Sequence, residues 1–290
     1  MAIPGEPKRE YPSTYFVQDR SSKEEIQRLR ILDQILTARM GGVFAEQSDP
    51  SRFRRVLDVG CGPGGWVLEA ARVYPALSIF GIDISKTMIE DARNQAAEQG
   101  VADRVKFQVM DALRMLEFPA GFFDLVNLRM GASFMRKWDW PKMLSELQRI
   151  TRPGGVVRVT DADIIHASNS PALTQFYEMF QCALFKAGHL FEQETTGITA
   201  HLVPLFTQHG LQQVQTKVHE LDYQAGTPQG QAYAEGVKNM FHTLRPFIQK
   251  WGCISQDYDT IYQQALDEMK RSDFHVTWKL LTIWGEKPAY

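Results

Sequence analysis

Residues Val56-Leu57-Asp58-Val59-Gly60-Cys61-Gly62-Pro63-Gly64-Gly65 run a short apolar strand into a glycine-rich turn and then into a helical pattern. Glycines at this spacing remove the Cβ atoms that would keep a ligand away from the backbone N–H groups. Read as Gly60-x-Gly62-x-x-Gly65, the stretch fits the dinucleotide fingerprint. It also reads as Asp58-x-Gly60-x-Gly62-x-Gly64, and the acid inside the strand end separates the two possibilities. A carboxylate there sits poorly beside a pyrophosphate, whereas it attracts the cationic amino group of an amino-acid moiety. The ligand implied is cationic at that end.

Outward from this turn the chain alternates short apolar runs with helical periods. Strands are expected at 56–59, 78–82, 105–109, 123–128 and 156–160, and helices at 65–73, 86–99 and 141–150, with Asp139 as N-cap of the last. Such alternation implies right-handed crossovers and a parallel sheet. Asp83 closes the second strand, where a carboxylate can accept both hydrogen bonds of a ribose diol. Asp111 closes the third and suits an exocyclic adenine amine or, equally, a turn. The fourth strand, Phe123-Asp124-Leu125-Val126-Asn127, ends where open α/β sheets bind ligands.

These motifs together resemble the class I S-adenosylmethionine-dependent methyltransferases, small-molecule type. The resemblance is carried by Asp58 to Gly64, Asp83, Asp111, Phe123 to Val126 and the turn Pro153-Gly154-Gly155, in that order. It implies an α/β, Rossmann-like, seven-stranded, mostly parallel sheet of order 3-2-1-4-5-7-6, whose antiparallel seventh strand falls at 276–284. It implies S-adenosyl-L-methionine as cofactor, held by Asp58, Gly60, Cys61, Gly62, Pro63, Gly64, Asp83, Ile84, Met88, Asp111, Ala112 and Asn127. The segment Tyr15…Glu25…Arg28-Leu29 looks like the N-terminal helices that close over the cofactor in that family. One departure is the helical stretch of about 50 residues between strands 6 and 7, a connection that is usually short in the family.

Residues 1–45 form an expected helical arm or lid, opened by a capping box at Ser22 to Glu25 and an apolar stripe of Ile26, Leu29, Leu32 and Ile35. Residues 46–290 form the expected methyltransferase domain, with helical insertions at about 163–210 and 226–272. The insertions carry Phe176, Tyr177, Met179, Phe180, Phe185, Met240 and Phe241, which either fill a core or subunit interface or form a lid over an apolar substrate.

With 290 residues, 44% hydrophobic and 23% charged, the chain has the composition of a folded globular protein. Its 32 Lys and Arg against 34 Asp and Glu give a net charge of −2, no field to gather nucleic acid or anionic membrane. No apolar run approaches the roughly 18 residues of a membrane helix, and residues 1–20 lack a signal-peptide core. Cys61, Cys182 and Cys253 have no metal or disulfide spacing and are expected to be free thiols of a reducing cytoplasm. No metal is assigned: Asp161 and Asp163 could supply two oxygens, and no third ligand is evident. Homo-oligomerisation is left open.

Asn127 is followed by Leu128-Arg129-Met130 rather than by the Pro-Pro segment of nitrogen-directed DNA methylation, which disfavours a flipped base. The expected reaction is in-line displacement onto an O, N or C nucleophile of a small, aromatic or apolar metabolite. The catalytic candidates are His166, just beyond the fifth strand, Arg129 at the mouth of the fourth, and Tyr15 on the arm. Arg129 has Asp161 as a second expected partner, and Trp138 and Trp140 are expected to pack the helix that follows them. Two rivals stand beside this reading: a nucleotide-binding oxidoreductase, and a non-methylating relative that keeps the cofactor and catalyses a rearrangement or serves as a binding module.

Overall fold

The computed structural model describes residues 14–16, 22–193 and 197–289. Residues 1–13 and 17–21 of the expected arm lie outside them. Strands β1 (Arg55–Val59), β2 (Ser78–Asp83), β3 (Val105–Val109), β4 (Phe123–Arg129) and β5 (Thr151–Ala162) are parallel and run in the order 3-2-1-4-5. β1 and β4 are buried almost throughout because helices cover both of their faces. Beyond β5 come β6 (Ala167–Ser168), β7 (Gln212–Gln224) and β8 (His275–Glu286).

The last strand, β8, is antiparallel to β5 on one edge and to β7 on the other. Val276 pairs with both Ser168 and Tyr223, so β6 continues along the β5 edge of β8. The sheet therefore has eight strands rather than seven. With β6 taken as an extension of that edge, the expected order 3-2-1-4-5-7-6 is retained.

The helices are α1 (Lys23–Arg39), α2 (Gly65–Val73), α3 (Lys86–Glu98), α4 (Trp140–Ile150), α5 (Pro171–Lys186), α6 (Thr199–Gln208), α7 (Pro228–Lys250) and α8 (Tyr258–Glu268). One face of the sheet packs on α2 and α3 through Val67, Ala71, Ile89 and Ala92. The other packs on α4 and α6 through Leu144, Leu147, Leu202 and Phe206. A third core joins α1, α5, α7 and α8 to the ends of β7 and β8. The large apolar groups of the insertions belong there: Phe176, Tyr177, Met179, Phe180 and Phe241 are buried within it, and Phe185 and Met240 pack against it. They fill a core that the arm shares, since Phe16 meets Phe180 edge-on at 5.3 Å.

Several local expectations are corrected. Ser22 caps α1 by accepting from the Glu25 N–H at 3.1 Å, but the Glu25 carboxylate turns to Arg28 and Tyr15 and leaves the capping box half made. Asp139 stands at the N-cap of α4, yet its carboxylate accepts from the Arg136 N–H instead of capping the helix. Trp140 is fully buried under α4, whereas Trp138 is 55% exposed and lies against Gly188. Cys182 and Cys253 are not free thiols: they form a disulfide that ties α5 to the turn after α7, and Cys61 alone remains free and buried. Among the described residues, no helix is long and apolar enough to cross a membrane.

Candidate active site

The β1–α2 turn passes through the left-handed region at Gly60, Gly62 and Gly64, with φ of 69°, 52° and 80°. A side chain at any of these positions would be strained. The turn is tied down from the next strand: the Asp83 carboxylate accepts from the Gly62 N–H at 3.0 Å and from the Ser85 N–H at 2.8 Å. Beside it lies a cavity of about 170 Å³.

Of the residues expected at the cofactor, Asp58, Gly60, Cys61, Gly62, Pro63, Asp83, Ile84, Met88, Asp111 and Ala112 line this cavity, together with Tyr15 and Arg129. Asp111 is held in a turn of its own by the Leu113 N–H at 3.0 Å. Gly64, Asn127 and His166 lie elsewhere. Gly64 faces Phe107 and Ala92, where a Cβ would approach within 2.8 Å of the ring, so its smallness serves packing.

Asn127 is fully buried behind Asp58 in a polar chain. Its amide donates to the Asp58 carboxylate at 2.7 Å, and its carbonyl accepts from Arg158 at 2.6 Å. Arg158, 0% exposed, pairs in turn with Glu46 at 2.6 Å. The chain fixes the rotamer of Asp58, which is 2% exposed. Burial is the largest influence on Asp58 and raises its carboxyl to about 7; Arg129, Asn127 and Arg158 pull the other way, and Asp33 adds to the rise. A carboxyl poised in this way is only partly ionised near neutral pH and ionises further when a cation arrives.

His166 is 7% exposed, and its ring turns into the helical core. Its Nδ1 lies 2.9 Å from both Tyr177 and Tyr233 hydroxyls, and burial lowers it to about 3, so it is neutral at physiological pH. None of the seven histidines lines the cavity. Tyr15 donates to Glu25 at 2.8 Å, and burial holds its hydroxyl far above the ordinary tyrosine value. Arg129 pairs with Asp33 rather than with Asp161. Asp161 is taken by the Ala132 and Ala162 N–H groups, both at 2.9 Å, and burial raises it to about 7.

Sequence reasoning expected the arm to close over the cofactor but named none of the α1 residues as its wall, only Tyr15, which precedes the helix. Leu29, Leu32, Asp33 and Leu36 face the cavity, and Met130, Ser133 and Phe134 complete it beyond β4. The apolar stripe was visible in the sequence; the missed signal is Asp33, a charge placed on that stripe one turn from Leu29 and Leu36. Met130 follows Arg129 with φ of 56°, a strained position for a non-glycine residue at the rim of the cavity.

Residues 56–155 match a family model described as a methyltransferase domain. The aklanonic acid methyltransferase DauC of Streptomyces sp. (strain C5) is 35% identical over 156 residues, which cover 53% of this chain and 68% of that protein. The O-methyltransferase cnsE of Penicillium expansum is 31% identical over 142 residues, 49% of this chain and 50% of that one. The chain thus spans about half the length of several curated relatives that it matches. In fold, it is similar to a phosphoethanolamine N-methyltransferase 2 from Haemonchus contortus in complex with S-adenosyl-L-methionine. The TM-score is 0.53 at 20% identity, with 94% of this chain and 60% of that one covered.

Proposed function

We propose that this chain, which belongs to the class I S-adenosylmethionine-dependent methyltransferase family, transfers a methyl group to a small apolar metabolite from S-adenosylmethionine bound against the β1–α2 turn. The observation that carries this reading is Asp58: a buried carboxylate, locked by Asn127 and facing a cavity, with Asp83 and Asp111 at the ends of the next two strands. The donor set suits the cofactor's three polar ends. Asp58 would take the ammonium, Asp83 the ribose diol and Asp111 the adenine amine, while the glycine turn lets the backbone come close. When bound, S-adenosylmethionine supplies an electrophilic methyl on a sulfonium for in-line displacement.

The rest is the work of the chain's own residues. Asp83 holds the turn open through Gly62 and Ser85 and orients whatever rests on it. Leu29, Leu32, Leu36, Met130 and Phe134 make the remaining wall apolar, which supports an apolar acceptor. α1 covers the site and excludes water, strengthening every electrostatic contact inside. Tyr15 and Arg129 stay proposed as ligand contacts. His166 is given no part in the reaction, because its imidazole is spent on two tyrosines.

Asp83→Ala is expected to lower affinity for S-adenosylhomocysteine at least roughly 10-fold, because it removes charge-assisted hydrogen bonds to both ligand and turn. Calorimetry on the folded variant checks this, and unchanged affinity would remove Asp83 from the ribose. The activity itself is tested by incubating the full chain with S-adenosylmethionine and a panel of phenols, enols and amines. A product heavier by one methyl is the expected result. Conversion of an acceptor without mass gain would favour the non-methylating reading.

A further inference from the structure

We propose that Asp33 of α1 occupies, on Arg129, the seat of the carboxylate at the cofactor's amino-acid end, and so sets the affinity of this cavity for carboxylate-bearing ligands. This role deepens the cofactor reading above and rests on it.

Arg129 ends β4 with only 12% of its side chain exposed, and its Nε is buried without a hydrogen-bond partner. Its ion-pair partner is Asp33, 13% exposed, which reaches down from α1. The same carboxylate lies against Gly65, the first residue of α2, where a Cβ would collide with it. α2 has no side-chain cap. One carboxylate of the chain therefore sits between an arginine and a helix N-terminus, two features that each favour an anion.

Asp58 faces the same cavity from the neighbouring strand β1. An α-amino acid carries its ammonium and its carboxylate on a single carbon. Asp58 for the cation and Arg129 for the anion are the matching pair of seats, and Asp33 fills the second. The cavity of about 170 Å³ agrees with this, since sites for ligands of such size usually measure roughly 300 Å³ or more. Part of the missing volume is α1 with its Asp33. On the apolar face formed by Leu29, Leu32 and Leu36, an unpaired carboxylate would be costly, so Arg129 is what holds it inward. A ligand carboxylate that takes Arg129 releases Asp33 toward solvent.

The test compares S-adenosylhomocysteine with 5′-methylthioadenosine, which shares the adenosine and the sulfur but lacks the amino-acid end. Both are titrated calorimetrically into the full chain. Asp33→Asn frees Arg129 and is expected to tighten S-adenosylhomocysteine on the order of 10-fold, leaving methylthioadenosine within about 2-fold. Arg129→Gln gives a second arm should Asp33→Asn fail to fold: S-adenosylhomocysteine weakens by a similar factor, and methylthioadenosine again does not change. Weaker S-adenosylhomocysteine binding in Asp33→Asn would overturn the proposal, making Asp33 a ligand of the ammonium. Equal tightening of both ligands would overturn it too, as would equal effects of Arg129→Gln on both. A wild-type chain that binds neither ligand overturns the cofactor reading and this role together.

Discussion

Asp58→Asn is expected to act in two opposite directions, weakening S-adenosylhomocysteine roughly 10- to 100-fold while stabilising the ligand-free fold at and above neutral pH. The loss follows from removing the negative charge that Asp58 offers the ligand's ammonium. The gain follows from burial. The folded-state value of about 7 lies above the ordinary 3.8, so the fold holds a proton on Asp58 that the unfolded chain has already released. That contribution to stability is complete below the unfolded value, falls as pH rises through the interval between the two, and levels off above about 7. Through this group the wild type loses roughly 2 to 3 kcal/mol between pH 5 and pH 8, and Asp58→Asn does not. The amide keeps the oxygen that accepts from Asn127, so the polar chain behind it survives. Urea melts at the two pH values read the difference directly; parallel losses in both proteins would mean that Asp58 is ionised in the empty site.

Arg158→Met is expected to cost about 3 to 5 kcal/mol, since it leaves the buried Glu46 carboxylate without its counter-charge. It also removes the donor that holds the Asn127 carbonyl, so Asp58 loses its fixed rotamer and cofactor affinity falls as well. The double variant Arg158→Met with Glu46→Leu separates the two effects. Replacing both charges by apolar groups should recover most of the stability, while affinity for S-adenosylhomocysteine stays low because Asn127 remains unheld. Full recovery of both properties would show that the chain from Glu46 to Asp58 is a stability device with no bearing on the site.

The parallel half of the sheet was legible in the sequence for a physical reason. Strands such as β1 and β4, covered on both faces, carry short apolar runs that stand out, and the glycines at 60, 62 and 64 mark a turn that residues with a Cβ reach only under strain. The acids at 58, 83 and 111 were legible because each stands at a strand's carboxyl end, where the fold places ligands. What lay hidden depends on direction rather than on sequence position. His166 follows β5 closely, yet the chain there joins the edge of β8 through β6 and turns the imidazole toward Tyr177 and Tyr233. Asn127 reads as a cofactor contact at the end of β4, but its amide reaches sideways to Asp58. The Cys182–Cys253 disulfide joins residues 71 positions apart, brought together by the packing of α5 against α7 and α8. The stripe on α1 announced an amphipathic helix expected to close over the cofactor, without telling that Asp33 on that face would pair with Arg129.

The most direct test of the central claim, that an ammonium-bearing cofactor is held by Asp58 beside the glycine turn, is calorimetry of S-adenosylhomocysteine at pH 6.5 in two buffers of different ionisation enthalpy. A carboxyl that titrates near 7 must give up its proton to receive a cation, so binding to the wild type is expected to release roughly three quarters of a proton per chain. The release should vanish in Asp58→Asn. Binding without proton release in the wild type, or the same release in both proteins, would contradict the account.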